Sequence, residues 1–246
     1  MALNQMNEEF NDPFETYFQN LKGGRRLYYN LSTSLILRLI RLQRRLLGAR
    51  RLVNERVIEY PYIFRRIRPG GVVLDIGCTS SRLPIQLASL GYEVHGLDLL
   101  DYPFVHPNFH FHKANLFEWK PDHQFDSIIL LSVIEHFGLG IYGDRKMTGD
   151  KDKQAIEQIT QWLKPHGQLL VTTTYGKPSI THKHRIYDKK RLDYIFPRSI
   201  YKRIDEQYHQ RINNHWMPST SLALDNIDSS SLPANGSVVF DMEKII

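Results

Sequence analysis

The sequence predicts an α/β fold built on a mostly parallel sheet. Val72–Ile76 is apolar apart from Asp75 and runs into Gly77, which is typical of a buried parallel strand that breaks into a tight turn. Residues 83–90 then have the pattern of a helix, and Glu93–Asp98 that of a second strand ending in an acid. A strand, a glycine turn, a helix and an acid at a strand end make up a nucleotide-binding crossover.

The turn after the first strand indicates which nucleotide this crossover could bind. A dinucleotide site requires further glycines so that the pyrophosphate can touch the backbone, but Cys78 and three polar residues follow Gly77. No Gly-Lys-Ser or Gly-Lys-Thr occurs in the chain, so a P-loop is excluded. Asp75 beside the turn would repel a phosphate but suits a ligand that carries an ammonium group. S-adenosylmethionine has a ribose, an adenine and a cationic amino-acid tail, and it has no phosphate.

Four segments in order resemble the class I S-adenosylmethionine-dependent methyltransferases. They are residues 72–78, the pair Leu97-Asp98, residues 124–136, which resemble the family's fourth strand and its Glu-His ending, and residues 163–171. The resemblance covers residues 60–180 well, although Cys78 replaces the family's usual second glycine. It implies a Rossmann-like, seven-stranded methyltransferase sheet, mostly parallel with its last strand antiparallel, and S-adenosyl-L-methionine as the cofactor.

The resemblance also implies which residues hold that cofactor. Asp98 would accept both ribose hydroxyls, and Gly77 would let the cofactor approach the backbone, so a bulky residue there should block binding and leave the fold largely intact. Asn115 would bind the adenine edge or serve only as a turn residue. Cys78 is a reactive thiol or, as we expect, a small filler whose amide faces the ligand. The expected cofactor-binding residues are Asp75, Gly77, Cys78, Ser80, Asp98, Leu99, Asn115, Leu131 and Ser132.

The stretch that follows the fourth strand should line the reaction site, because ligands of open α/β sheets bind beyond the carboxyl ends of the strands. His136 stands there, and its ordinary pKa near 6.5 suits a general base. The alternative is a histidine that only positions the cofactor. The loop that follows contains Gly138, Gly140 and Gly143 and should present Tyr142 and Asp144. The predicted catalytic residues are therefore His136, Tyr142 and Asp144.

Residues 181–188 follow the fifth strand and could bind the methyl acceptor. His184, Arg185 and Tyr187 suit an anionic or hydroxylated molecule, although a solvated surface loop is nearly as good an interpretation. No metal site is expected from His182 and His184, because side chains two residues apart diverge on regular elements. The glycine-rich loop resembles bacterial methyltransferase-like proteins associated with surface-polysaccharide gene clusters, which implies a sugar-like acceptor.

The remaining elements follow from hydrophobic periodicity. Residues 108–112 and 168–174 predict the third and fifth strands, and residues 238–244 predict the last strand. Residues 152–163 predict a helix with one apolar face, and residues 219–237 predict a loop rich in serine, asparagine and proline.

Composition restricts the class of protein. With 246 residues, 41% of them hydrophobic, the chain can bury a full core as one domain with an appendage. The single cysteine, Cys78, excludes a disulfide framework and favours a reducing, cytoplasmic compartment. The first 20 residues do not have the pattern of a secretion signal, and no run of 18 apolar residues occurs.

The net charge of +6 is concentrated near the N-terminus, since residues 22–68 contain 13 lysines and arginines and two acids. Leucines and isoleucines between 35 and 47 recur near helical spacing among arginines, which predicts a basic amphipathic helix. This helix could pack on the sheet as a lid, bind an anionic membrane surface peripherally, or contact RNA. The predicted domains are a basic helical extension, 1–68, and the methyltransferase domain, 69–246.

These observations predict methyl transfer from S-adenosylmethionine to a hydroxyl of a small molecule or saccharide. Nucleic-acid amino-methylation is disfavoured, because an Asn/Asp-Pro-Pro-Tyr segment is absent after the fourth strand. The alternatives are a cofactor-binding partner protein without catalysis, or an RNA methyltransferase that uses the basic helix.

Overall fold

The computed structural model describes residues 35, 38, 54–142, 149–231 and 234–246. The chain divides into two compact units, Met1–Arg51 and Leu52–Ile246. The predicted basic helix falls almost entirely outside the described residues. The predicted domain boundary between residues 68 and 69 stays a prediction.

The second unit is an α/β domain with one large sheet. Its strands are β1 (Val72–Ile76), β2 (Glu93–Asp98), β3 (Phe109–Lys113), β4 (Phe125–Leu131), β5 (Leu163–Thr174), β8 (Tyr201–Ile212), β9 (His215–Ser219) and β10 (Gly236–Lys244). Two short strands, β6 (Ser179–Ile180) and β7 (Arg185–Ile186), form a separate hairpin. The helices are α1 (Arg56–Arg66), α2 (Leu83–Ser89), α3 (Lys151–Trp162), α4 (Lys189–Ile195) and α5 (Ser221–Leu224). Among the described residues, no helix is long and apolar enough to cross a membrane.

The sheet order is β3-β2-β1-β4-β5-β10-β8-β9. Strands β1 to β5 are parallel, and β10 pairs antiparallel with both β5 and β8. The predicted Rossmann-like sheet with an antiparallel last strand is confirmed. It has eight strands instead of seven, because β9 adds an antiparallel edge to β8.

The core consists of two layers, one on each face of the sheet, because alternate residues of a strand point to opposite faces. On β1, Leu74 and Ile76 pack with α3 and α4, and Val73 packs with α1 and α2. This burial on both faces explains why β1 reads as a nearly continuous apolar run.

Helix α1 is joined to the sheet by polar contacts at its C-terminal end. The Arg66 guanidinium donates twice to one carboxylate oxygen of Asp241 on β10, at 2.8 and 2.6 Å. The Gln168 side chain on β5 donates to the Arg66 carbonyl (2.9 Å). Near the other end of α1, Glu59 contacts Ser132 and Thr172 at the carboxyl ends of β4 and β5.

Candidate functional site

A cavity of about 200 Å³ opens beyond the carboxyl ends of β1 to β4, where an open α/β sheet binds its ligands. Most of its lining is apolar, and we call it the apolar cavity. The apolar side chains around it come from the ends of the strands and from the loops that follow them: Ile76, Leu97, Leu99, Leu100, Ala114, Leu116, Phe117, Val133 and Phe137. Such a lining suits the faces of a purine and a thioether chain.

Asp98 lines the apolar cavity from the end of β2. Its carboxylate is held by two backbone donors: the Thr79 N–H reaches Oδ2 (2.8 Å) and the Leu100 N–H reaches Oδ1 (3.0 Å). Each carboxylate oxygen can accept a further hydrogen bond. Asp98 is therefore a fixed acceptor that can take both hydroxyls of a ribose.

Gly77 lines the cavity in the left-handed conformation, with φ +75°. A Cβ at this position would lie 2.4 Å from Cγ2 of Val133. A side chain at Gly77 therefore strains the fold itself, and the expectation that a bulky residue would leave the fold intact is wrong. Both the turn geometry and the space available require glycine here.

The loops after β2 and β3 form another wall of the apolar cavity. Leu99 and Asn115 line it as expected. The Asn115 side-chain oxygen accepts the Phe117 backbone N–H (3.0 Å), so Asn115 shapes a turn, and its side-chain amide group is still available to a ligand. Phe117 lines the cavity, whereas Trp119 packs edge-on against Trp162 with ring centroids 5.2 Å apart.

Three of the predicted cofactor residues do not line the apolar cavity. Asp75, Cys78 and Leu131 are buried. Burial raises the pKa of the Asp75 carboxyl to about 8, and neither of its oxygens has a hydrogen-bond partner among the described residues. Burial also raises the pKa of the Cys78 thiol, so this free cysteine is a protonated filler and not a reactive thiol.

His136 lies in a short 3-10 helix, Ile134–His136, directly after β4. Its Nδ1 is 2.7 Å from the Lys183 carbonyl oxygen, and because a carbonyl can only accept, Nδ1 carries the proton. The other ring nitrogen, Nε2, is then the basic one. Burial lowers the pKa of His136, which keeps the ring neutral near pH 7.

Arg185 and Tyr187, predicted to bind the acceptor, are buried and contact the His136 segment. The Arg185 guanidinium donates to the Phe137 carbonyl (2.6 Å), and the Tyr187 hydroxyl donates to the Ile134 carbonyl (3.1 Å). Both side chains therefore fix the backbone on either side of His136.

A second cavity, also of about 200 Å³, lies next to the first and has a more polar lining. We call it the polar cavity. It is lined from α1, β5, β9 and β10 and by the predicted acceptor residue His184. Among the described residues, four line both cavities: Ser80, Ser132, His136 and Tyr142. Asp144 lies outside the described residues.

Two carboxyl groups line the polar cavity, one on Glu55 and one on Glu135. Burial raises the pKa of Glu135 to about 8, so it is mostly protonated at pH 7, and one of its oxygens accepts the Thr173 hydroxyl (2.9 Å). Burial and the neighbouring Glu59 raise the pKa of Glu55. Oε2 of Glu55 and Nδ1 of His184 are buried and have no hydrogen-bond partner among the described residues.

Helix α1 contributes residues that the sequence analysis did not identify. Glu59 is fully buried, and Oε1 of its carboxylate accepts the hydroxyls of Ser132 (2.5 Å) and Thr172 (2.6 Å). Its other oxygen pairs with Arg56 (2.7 Å), which lines the polar cavity. The sequence does contain a feature that indicates Glu59. Its spacing from Tyr62 and Ile63 places it on the apolar face of the helix, and an acid on an apolar face is exceptional.

Comparison with known proteins places the chain in a family. Residues 47–224 match the model of a family described as a methyltransferase domain, and no curated protein matches the chain. A similar solved structure is the 1,6-didemethyltoxoflavin-N1-methyltransferase of Burkholderia thailandensis, with bound 1,6-didemethyltoxoflavin and S-adenosylhomocysteine. It has 14% identity and a TM-score of 0.54, with 92% of each chain covered.

Two further structures share this fold at low identity. A SAM-dependent methyltransferase from Methanosarcina mazei has 14% identity and a TM-score of 0.51, covering 76% of this chain and 98% of that one. The [4+2]-cyclase SpnF has 13% identity and a TM-score of 0.53, covering 76% and 79%. Because the family model spans more than half of the sequence, the chain belongs to the methyltransferase domain family.

Proposed function

We propose that this protein transfers the methyl group of S-adenosylmethionine to a hydroxyl of a small molecule or saccharide. The observation that carries the proposal is the shared wall formed by Ser80, Ser132, His136 and Tyr142. The apolar cavity on one side suits the cofactor, and the polar cavity on the other suits a hydrophilic acceptor. The reacting groups would meet at this wall.

The residues of the apolar cavity could each hold a different part of the cofactor. Asp98 would accept the ribose hydroxyls, and Leu99, Phe117 and Asn115 would surround the adenine. When bound, S-adenosylmethionine supplies a methyl group made electrophilic by the sulfonium. What the protein adds is alignment of the acceptor oxygen and removal of its proton.

His136 is the proposed general base. Its Nδ1 proton is committed to the Lys183 carbonyl, so the basic Nε2 can accept a proton from the acceptor hydroxyl. The bonds from Arg185 and Tyr187 to residues 137 and 134 keep this segment in place. Arg185 and Tyr187 are therefore proposed as positioning residues.

The polar cavity supports a hydroxylated acceptor. Protonated Glu135 can donate a hydrogen bond, while Glu55 and His184 offer buried polar atoms without a partner among the described residues. Buried polar groups of this kind are costly unless a ligand satisfies them. A molecule with several hydroxyl groups can do so, because each hydroxyl both donates and accepts.

A second candidate is methyl transfer to an amine. The two carboxyl groups of the polar cavity support this candidate, because Glu55 and Glu135 could bind an ammonium group once they are ionised. An N-methyltransferase is also among the structures with this fold. A third candidate is a cofactor-binding protein without turnover.

One experiment separates these candidates. The protein is incubated with methyl-labelled S-adenosylmethionine and sugars, sugar nucleotides, lipid-linked glycans or matched amino sugars, and both labelled product and S-adenosylhomocysteine are quantified. Label on an acceptor oxygen supports the proposal, and label on nitrogen supports the amine. Cofactor binding without label on any acceptor contradicts both and favours the non-catalytic candidate.

A further inference from the structure

A cluster of histidines lies on the outer part of the sheet, away from both cavities. Strands β2 and β3 are parallel neighbours, and their register pairs His95 directly with His110. His112 follows His110 by two residues and Glu93 precedes His95 by two, so all four side chains lie on one face. The centroids of the His110 and His112 rings are 5.0 and 5.2 Å from that of His95.

Three of these residues bring ligand atoms together. One atom each from Glu93, His95 and His110 lies within 4.8 Å of the other two, and Nε2 of His95 is 3.7 Å from Oε1 of Glu93. Ligand atoms around a tetrahedral zinc ion are roughly 3.3–3.6 Å apart, given bonds of about 2.0–2.2 Å. Glu93 and His110 are exposed, so small side-chain rotations can close the remaining gap.

The buried member of the cluster is already oriented for a metal. His95 is 8% exposed, and its Nε2 has no hydrogen-bond partner among the described residues. Its other nitrogen, Nδ1, lies 3.0 Å from Nε2 of His112. If Nδ1 of His95 donates this bond, then Nε2 has a free lone pair directed towards Glu93. Metal-binding histidines usually donate their second ring N–H to a carboxylate, a carbonyl or water, and Nε2 of His112 would be the acceptor here.

We propose that Glu93, His95 and His110 bind a divalent transition metal ion. The ion is Zn²⁺, which proteins bind through two imidazoles and one carboxylate. His112 acts as a positioning residue through His95. Three protein ligands leave one tetrahedral position for water. The ion would join β2 to the edge strand β3.

The metal site is separate from the proposed reaction site. Asp98 lies three residues beyond His95, about 10 Å further along the strand. Loss of the metal ligands should therefore leave S-adenosylmethionine binding intact.

The test is Zn²⁺ titration of the chelator-stripped full chain against a chromophoric competitor. We expect one equivalent to bind, His110→Ala and Glu93→Gln to weaken that affinity at least tenfold, and His112→Ala to weaken it 10–100-fold. His215→Ala, at an exposed histidine of the other edge strand, should have no effect. Circular dichroism confirms that the variants fold.

A thermal scan provides the second readout. Zn²⁺ should raise the melting temperature of the wild type and the control, but not of His110→Ala, because only a ligand that binds the native state stabilises it. Absence of a one-to-one site, or wild-type affinity in both His110→Ala and Glu93→Gln, would overturn the proposal.

Discussion

Glu59 of helix α1 accepts a 2.5 Å hydrogen bond from Ser132, a residue 73 positions later in the chain. Ser132 follows β4 directly and has a φ of +49°, so its backbone is in the left-handed region. Its N–H is bonded to the carbonyl and hydroxyl of Thr172 on β5, at 3.1 and 2.9 Å. The N-terminal helix is thereby bonded to the backbone that forms the wall between the two cavities.

The first prediction concerns this buried carboxylate. Glu59→Ala removes the acceptor for Ser132 and Thr172 and leaves Arg56 without its partner. Urea unfolding should show a loss of about 2–4 kcal/mol, the range for breaking a buried charged network. The matched control is Glu157→Ala on α3, where the glutamate side chain is 58% exposed and 3.6 Å from Lys153. This control should change stability by less than about 0.5 kcal/mol. Equal effects of the two variants would contradict the assignment.

The second prediction concerns the pH dependence of stability. Asp75 keeps its proton to about pH 8 in the folded chain because it is buried, whereas in the unfolded chain its carboxyl titrates near pH 4. Between about pH 4 and pH 8 the folded state binds more protons than the unfolded state, so Asp75 lowers the free energy of unfolding as the pH rises. Asp75→Asn has no carboxyl to titrate and should not show this decrease.

The quantity to measure is the difference in unfolding free energy between Asp75→Asn and the wild type. It should increase with pH in favour of the variant by up to about 1.4 kcal/mol per pH unit between pH 5 and 8. Glu135→Gln should show the same trend, since burial also raises the pKa of Glu135 to about 8. A difference that does not vary with pH for either variant would show that these carboxyls are ionised in the folded protein.

The third prediction tests His136 as the general base. His136→Ala should lower turnover on an identified acceptor by about 10²–10⁴-fold while cofactor affinity barely changes. The wild-type rate should rise with pH through a pKa below 6.5, because burial lowers the pKa of His136 and the base must be unprotonated. The pH–rate profile of His136→Ala should lack this rise. His182→Ala, at an exposed histidine of the neighbouring turn, is the control. Weaker cofactor binding with an unchanged pH profile would make His136 a residue that only shapes the cofactor pocket.

The fourth prediction concerns the basic segment 22–68, most of which lies outside the described residues. We propose that its part before α1, residues 22–53, binds an anionic membrane surface, because nine basic residues and no acid accompany a face of leucines there. Arg56, Arg66 and Arg68 are not counted, since they form ion pairs within the described domain. The protein should co-sediment with vesicles containing phosphatidylserine, and both salt and charge reversal at Arg41, Arg44 and Arg45 should weaken this. If the protein does not bind these vesicles at low salt, the proposal is contradicted. RNA binding under the same conditions would favour the RNA alternative.

Strands β1 to β5 could be predicted from the sequence because each carries its own local pattern. Glu93–Asp98 was predicted with the bounds that the structure has, since a short apolar strand ending in an acid between a glycine turn and a loop is distinctive. For β1, β2 and β4 the match between pattern and structure follows from burial on both faces of a parallel sheet. The edge strand β3 is partly exposed, and its alternating sequence predicts it.

The hairpin of β8 and β9 was not predicted, for a physical reason. Strand β8 lies near the edge of the sheet and is mostly half-exposed, so its sequence has no strict alternation of apolar and polar residues. The sequence feature that does indicate this hairpin is the Asn213-Asn214 pair at its turn. Both residues have positive φ, 50° and 63°, as a tight hairpin turn requires and asparagine tolerates. The Glu59–Ser132 contact joins distant segments, and no local pattern indicates such a partner.

The apolar cavity should bind S-adenosylmethionine with Asp98 holding the ribose. The decisive experiment is calorimetric titration of S-adenosylmethionine into the wild type, Asp98→Ala and the control Asp101→Ala. Asp101 is 81% exposed and lies three residues further along the same loop. We expect Asp98→Ala to weaken binding by about 1.5–3 kcal/mol, the range for hydrogen bonds to a charged group, and Asp101→Ala to bind as the wild type does. Unchanged affinity in a folded Asp98→Ala variant would show that Asp98 does not hold the ribose.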